Sequence, residues 1–160
     1  MNKIAVSIVD DHALFRRGVA DIIRQSEHFD VQQEYSSGSA FLSALDTANI
    51  ELLLLDVQMP QMSGIEVLKC IRERNVDLKV IILTASLEDS IVLDAIRLGA
   101  NGFLPKDTLP EDILLQLHQV MQGKTVLHAD GVALLAQQVR QQTAPLAAAL
   151  HKTSEQVLLQ

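Results

Sequence analysis

The chain has 160 residues, of which 48% are hydrophobic and 21% are charged, so it can bury a sizeable core and is not a disordered segment. Thirteen basic and twenty acidic residues give a formal charge of −7, which argues against a broad basic surface for nucleic acid. The single cysteine, Cys70, excludes an internal disulfide and favours the cytoplasm. We expect no signal peptide and no membrane span, because every apolar run is too short.

Short apolar runs of strand type alternate with amphipathic segments of helical type along the first 123 residues. The runs cover residues 3–9, 29–37, 51–57, 79–85 and 102–106. Apolar residues between them recur at helical spacing, as in Phe15, Val19, Ile22 and Ile23. The second run is partly polar, as expected at a sheet edge, whereas run 51–57 is apolar on both faces and therefore central. Five successive β-α units predict an α/β fold with a doubly wound parallel sheet.

The end of this region and the chain beyond it have their own signals. A capping box of Thr108 and Glu111 is expected to begin the last helix of the sheet domain. The sequence then predicts three parts: a domain over residues 1–124, a partly helical linker over 125–147, and a further helical segment over 148–160.

Polar residues stand at the carboxyl ends of four of the predicted strands. Strand one ends in Asp10 and Asp11, strand three in Asp56, strand four in Thr84 and strand five in Lys106. Ligands of doubly wound sheets bind beyond these strand ends, at the point where the strand order reverses. We therefore expect these five side chains to form one site.

These five residue types have a common chemistry. Neighbouring carboxylates favour a divalent cation, and Mg²⁺ prefers hard oxygen ligands and keeps several waters. A lysine ammonium can bind a phosphoryl oxygen, and a threonine hydroxyl can donate to another. An aspartate carboxylate can itself attack phosphorus and form an aspartyl phosphate. The set predicts phosphoryl transfer to Asp56, with Mg²⁺ as cofactor.

Four motifs carry a resemblance to a known family: "VDDH" (9–12), "LLLDVQMPQMSGIE" (53–66), "ILTAS" (82–86) and "GANGFLPKD" (99–107). With them, roughly residues 3–123 resemble the receiver domain of bacterial two-component response regulators of the NarL/FixJ type. The resemblance implies a flavodoxin-like sheet of order 2-1-3-4-5. The tail from Leu150, with Val157 and Leu158, is similar to the start of a LuxR-type helix-turn-helix domain.

The resemblance implies a role for each matching residue of the acidic site. Asp56 would accept the phosphoryl group from the phosphohistidine of a sensor histidine kinase. Asp11, Asp56 and the backbone carbonyl of Gln58 would bind Mg²⁺, and Asp10 would lie nearby or bind it through water. Lys106 would contact the phosphoryl group.

It also implies a switch. Thr84 would bind the phosphoryl group and, together with Phe103, report phosphorylation to the face formed by the fourth helix, fifth strand and fifth helix. Two residues depart from the family pattern. Phe103 stands where tyrosine is frequent, so no phenolic hydroxyl can hold its inward state, and Pro105 stands where an aliphatic residue is more common.

For the whole protein, the resemblance implies a transcription regulator whose DNA-binding domain is largely absent from this chain. Phosphorylation would free that domain or promote pairing of two copies into a homodimer. The chain would not be an enzyme, because it would label itself stoichiometrically and lose the phosphoryl group slowly. We also expect Gln58 and Ser86, each two residues beyond a site residue, to set the lifetime of the aspartyl phosphate.

Other interpretations stay open from the residues alone. His12 is interpreted as a first-turn helix residue facing solvent, and Arg16 and Arg17 as part of a solvated face. One rival function is a stand-alone interaction module whose residues 125–160 dock a partner. Another is a metal-dependent phosphohydrolase, which would normally carry an acid where this chain has Gln58.

Overall fold

A computed structural model describes residues 2–74, 77–85 and 88–124, which form five strands alternating with five helices. The strands are β1 (Ile4–Val9), β2 (Phe29–Tyr35), β3 (Leu52–Asp56), β4 (Lys79–Thr84) and β5 (Gly102–Pro105). The helices are α1 (Ala13–Arg24), α2 (Gly38–Ala44), α3 (Gly64–Glu73), α4 (Asp89–Arg97) and α5 (Pro110–Met121). The five predicted strands are confirmed with small shifts at their ends. The linker predicted over 125–147 and the segment 148–160 lie outside the described residues.

The five strands form one parallel sheet of order β2-β1-β3-β4-β5, which confirms the predicted flavodoxin-like topology. β3 lies in the centre, between β1 and β4, and Asp56 at its end is only 2% exposed. β2 lies at an edge, and Asp30, Gln32 and Gln33 on it are exposed. The polar pattern of β2 therefore follows from its position.

Helices cover both faces of the sheet. Leu53 and Leu55 of β3 pack with side chains of α2, α3 and α4, whereas Leu52 and Leu54 pack with those of α1 and α5. Because side chains alternate along a strand, β3 needs apolar residues at every position. Among the described helices, none is long and apolar enough to cross a membrane.

The helix starts differ from the prediction at one place. The capping box expected at Thr108 and Glu111 is wrong: α5 begins at Pro110, and the Thr108 hydroxyl donates to the carbonyl of Pro105 at 2.6 Å. Proline favours the first helical position because its φ is preset and its missing N–H is not needed there. A complete capping box instead joins Ser63 and Glu66 at the start of α3.

Candidate functional site at the carboxyl edge of the sheet

The sheet brings the predicted polar residues to one edge. Asp10 directly follows β1, Asp56 is the last residue of β3, and Thr84 is the last residue of β4. Lys106 directly follows β5, and its backbone N–H donates to the carbonyl of Thr84 at 2.9 Å. Because the strands are parallel and in register, their carboxyl ends meet there.

Asp10 is fixed by hydrogen bonds at its backbone and side chain. It is fully buried, and its N–H donates to the carbonyl of Tyr35 at 3.0 Å. Its carbonyl accepts from Nη1 of Arg16, and its Oδ1 accepts from the backbone N–H of His12 at 2.8 Å. The carboxylate therefore has a defined position at the bottom of the site.

Lys106 is the cation of this edge. Its Nζ lies 2.9 Å from Oδ2 of Asp10 and 3.4 Å from Oδ2 of Asp56, and its side chain is 14% exposed. Nζ also lies 4.8 Å from the centre of the Phe15 ring. One positive charge therefore faces two buried carboxylates, so the local balance stays negative.

The carboxylates have ligand atoms to spare for a cation. One atom each from Asp10, Asp11, His12 and Asp56 lies within 4.8 Å of the others. Oδ2 of Asp10, Oδ1 of Asp11 and Oδ2 of Asp56 are buried, and none accepts a hydrogen bond of good geometry from a described residue. Lys106 approaches two of these oxygens as an ion pair only. Buried carboxylate oxygens in this state fit a hard divalent cation.

Burial changes the acidity of Asp56. Removal from water raises its pKa from 3.8 to about 6, and repulsion from Asp10 adds to the rise. Attraction to Lys106 and the hydrogen bond from the Gln58 N–H, at 3.4 Å from Oδ1, lower it again. Near neutral pH the carboxylate is therefore mostly ionised, at a cost in free energy that a bound cation would offset.

Thr84 and Phe103 lie on the same face of the sheet. Phe103 is opposite Ile82 in the pairing of β4 with β5, and Thr84 is two residues beyond Ile82. Paired residues and residues two apart along a strand point to one face. Phe103 is fully buried and Thr84 is 2% exposed. Phe103 thus occupies an inward position without a hydroxyl to hold it there.

The residues predicted to set the phosphoryl lifetime are described in part. The side chain of Gln58 is exposed in the loop after Asp56. Ser86 lies outside the described residues.

The sequence interpretation of two neighbouring elements was wrong. His12 is 66% exposed, as expected, but its Nδ1 lies 3.2 Å from Nζ of Lys106 and so belongs to the site. Arg16 is 14% exposed and donates to the backbone of Asp10, whereas Arg17 is 73% exposed. A helical projection from Val19 and Ile23 could have placed Arg16 on the inner side, but nothing in the sequence indicates its contact with Asp10.

Comparisons with known proteins point to one family. The response regulator receiver domain family matches residues 6–118. The nitrate/nitrite response regulator protein NarL of Escherichia coli K12 is 33% identical over 135 residues, which cover 84% of this chain and 62% of that protein. The NarL transcriptional regulatory protein of Mycobacterium tuberculosis H37Rv is 33% identical over 156 residues, covering 98% and 72%. The chain thus spans about three fifths of the length of the Escherichia coli relative.

Solved structures agree in fold. The signal receiver domain of the Mycobacterium tuberculosis response regulator NarL has a TM-score of 0.73 and 32% identity, covering 78% of this chain and all of that one. The receiver domain of RcsB from Salmonella enterica, with the phosphomimetic BeF₃⁻, has a TM-score of 0.76 and 26% identity, covering 83% and 99%. RcsB bound to promoter DNA has a TM-score of 0.77 at 26% identity, covering 84% and 67%.

The family match covers more than half of the chain, and the sheet order and the acidic edge agree with it. The resemblance stated from the four motifs is therefore confirmed. This chain belongs to the response regulator receiver domain family and contains the receiver domain of a NarL-type two-component response regulator.

Proposed function

We propose that this receiver domain accepts a phosphoryl group on Asp56 from the phosphohistidine of a sensor histidine kinase. The observation that carries the proposal is the position of Oδ2 of Asp56, which is buried among two further aspartates and lies 3.4 Å from Nζ of Lys106. A carboxylate in such surroundings is a nucleophile beside a cation that can bind the incoming phosphoryl oxygens.

The carboxylates at this edge would hold the cofactor. Asp11, Asp56 and the backbone carbonyl of Gln58 would bind Mg²⁺, and Asp10 would contact it through water. When bound, Mg²⁺ would neutralise charge on the phosphoryl oxygens and on the carboxylates. The support from this chain is the set of buried aspartate oxygens without aligned hydrogen bonds.

The transfer step follows from the residues at hand. A side-chain oxygen of ionised Asp56 forms a bond to phosphorus while the bond from phosphorus to the donor imidazole nitrogen breaks. Lys106 binds one phosphoryl oxygen, and its ammonium turns from Asp56 toward the new charge. The backbone bonds that fix Asp10 keep the neighbouring carboxylate in place during the exchange.

The new phosphoryl group would then shift an equilibrium between two arrangements. It adds about −1.5 to −2 charges beside the end of β4. The Thr84 hydroxyl would move toward it, and Phe103 would move into the space that Thr84 leaves. Their common face and their burial support this coupling.

A small phosphodonor with Mg²⁺ tests the proposal directly. We expect one added phosphoryl group per chain in the intact mass, and we expect none in Asp56→Asn. Asp46→Asn, whose side chain is 86% exposed, is the matched control and should label like the parent. Equal labelling of Asp56→Asn would remove Asp56 as the acceptor.

Residues beside the site would set how long the phosphoryl group persists. We propose that the side chains of Gln58 and Ser86 shield the aspartyl phosphate from water or admit water to it. The exposed position of Gln58 in the loop after Asp56 supports its part. We expect Gln58→Glu and Ser86→Ala to change the hydrolysis rate at least about threefold, measured as decay of labelled protein. The idea fails if neither variant differs from the parent.

The rival functions predict different kinetics. A metal-dependent phosphohydrolase would turn over a phosphoester repeatedly, whereas the proposed domain labels itself once and loses the group slowly. In the whole protein we propose that phosphorylation controls a DNA-binding domain and the pairing of two copies. RcsB is one relative whose structure was determined as dimers bound to DNA.

A further inference from the structure

His12 faces the acidic site with a nitrogen lone pair. Its Nδ1 lies 3.2 Å from Nζ of Lys106, 3.4 Å from Oδ1 of Asp10 and 3.7 Å from Oδ1 of Asp11. A lysine ammonium has donors only, so the contact with Lys106 assigns Nδ1 as the acceptor. The imidazole therefore offers the site a nitrogen ligand of the kind that metals use.

The position of His12 is set by the backbone around it. His12 is the cap residue of α1, and its N–H donates to Oδ1 of Asp10 while its carbonyl accepts from the N–H of Arg16 at 2.9 Å. The 66% exposure of the side chain leaves the ring room to turn toward a bound ion.

The other ligands are carboxylates aimed at the same point. The side chains of Asp10 and Asp56 are 0% and 2% exposed, and an oxygen of each is buried without an aligned hydrogen bond. With Asp11 and His12 they provide four ligand atoms that lie within 4.8 Å of one another. Two ligands of one ion with bonds of about 2.1 Å lie about 3 to 4 Å apart, as His12 and the aspartates do.

We propose that His12 is a metal ligand that lets this site bind Zn²⁺ in competition with Mg²⁺. The inference rests on the proposed function, because it concerns the same acidic site. Imidazole nitrogen suits zinc, whereas Mg²⁺ prefers oxygen ligands and keeps its waters. Three carboxylates and one imidazole complete a four-coordinate zinc site, which leaves no open position for a phosphoryl oxygen. Zinc bound in this way holds the domain unphosphorylated.

The test compares two metals on the whole chain. Zn²⁺ affinity is measured by competition with a chromophoric chelator, and Mg²⁺ affinity by titration calorimetry, for the parent and for His12→Ala. We expect the variant to lose at least about tenfold more affinity for Zn²⁺ than for Mg²⁺. His118→Ala, which removes a histidine that stacks on Phe29 away from the site, should lose none.

The outcomes separate this inference from the proposed function. If His12→Ala lowers both affinities equally, or neither, His12 is not a zinc ligand, whatever the labelling of Asp56. If His118→Ala removes the zinc affinity instead, the ion binds elsewhere and the inference is overturned. If Asp56→Asn is labelled like the parent, the proposed function fails regardless of the zinc result. Loss of zinc affinity confined to His12→Ala, with zinc blocking the labelling of the parent only, supports the inference.

Discussion

Asp56→Asn raises the free energy of unfolding of the metal-free protein at neutral pH by about 2 to 3 kcal/mol. The cause is the environment of the carboxylate, since burial and repulsion from Asp10 raise the pKa of Asp56 from 3.8 to about 6. The folded chain must carry this charge at neutral pH although the site favours the protonated form. Asparagine is nearly isosteric and cannot ionise, so it removes the cost.

The pH dependence has a definite sign. Because the folded pKa lies above the unfolded value, Asp56 does not lower stability below pH 3.8, where both states are protonated. Its cost grows as the pH rises from 3.8 and is complete above about 6. The stability advantage of Asp56→Asn over the parent should therefore be largest at neutral pH and shrink through this window.

Urea unfolding followed by circular dichroism, with a chelator and then with millimolar Mg²⁺, measures the effect. Mg²⁺ should stabilise the parent more than Asp56→Asn, because bound ligand stabilises the folded state in proportion to its affinity. Asp46→Asn, on an 86% exposed side chain, should change stability by less than about 0.5 kcal/mol at any pH. An Asp56→Asn protein that is no more stable than the parent without metal would contradict the assigned burial cost.

The fold could be predicted from the sequence because its strands carry simple signals. β3 and β4 are buried on both faces and so have unbroken apolar runs, which end at the polar residues Asp56 and Thr84. Parallel pairing then aligns strand ends that are far apart in the chain. The acidic edge follows from these two facts alone, without any knowledge of side-chain contacts.

Contacts made across elements could not be predicted in the same way. Arg16 and Arg17 are adjacent and chemically identical, and only the rotation of α1 against β2 brings Arg16 to the carbonyl of Asp10. His12 reaches Lys106 across 94 positions of sequence, a contact with no local signal. The start of α5 was mispredicted because two start signals compete there, and Pro110 prevails over Thr108.

Gly64→Ala is expected to lower the free energy of unfolding by at least about 3 kcal/mol. Gly64 is the first residue of α3 and is buried, and its N–H donates to the carbonyl of Val57 at 2.9 Å. A Cβ at this position would overlap the backbone carbonyl oxygen of Asp56 and lie 2.9 Å from Cα of Val57. Both obstacles are backbone, so no side-chain rotation can relieve them.

The same clash reaches the candidate site, because the obstructing carbonyl belongs to Asp56 itself. We therefore expect Gly64→Ala to weaken Mg²⁺ binding by titration calorimetry as well as to lower stability in urea unfolding. Gly18→Ala is the matched control, since Gly18 lies within α1 and an added Cβ meets nothing within 4 Å. That change should stabilise the protein by about 1 kcal/mol through helix propensity and leave Mg²⁺ affinity unaltered. A Gly64→Ala protein with the stability of the parent would mean that α3 does not approach the end of β3 as closely as described.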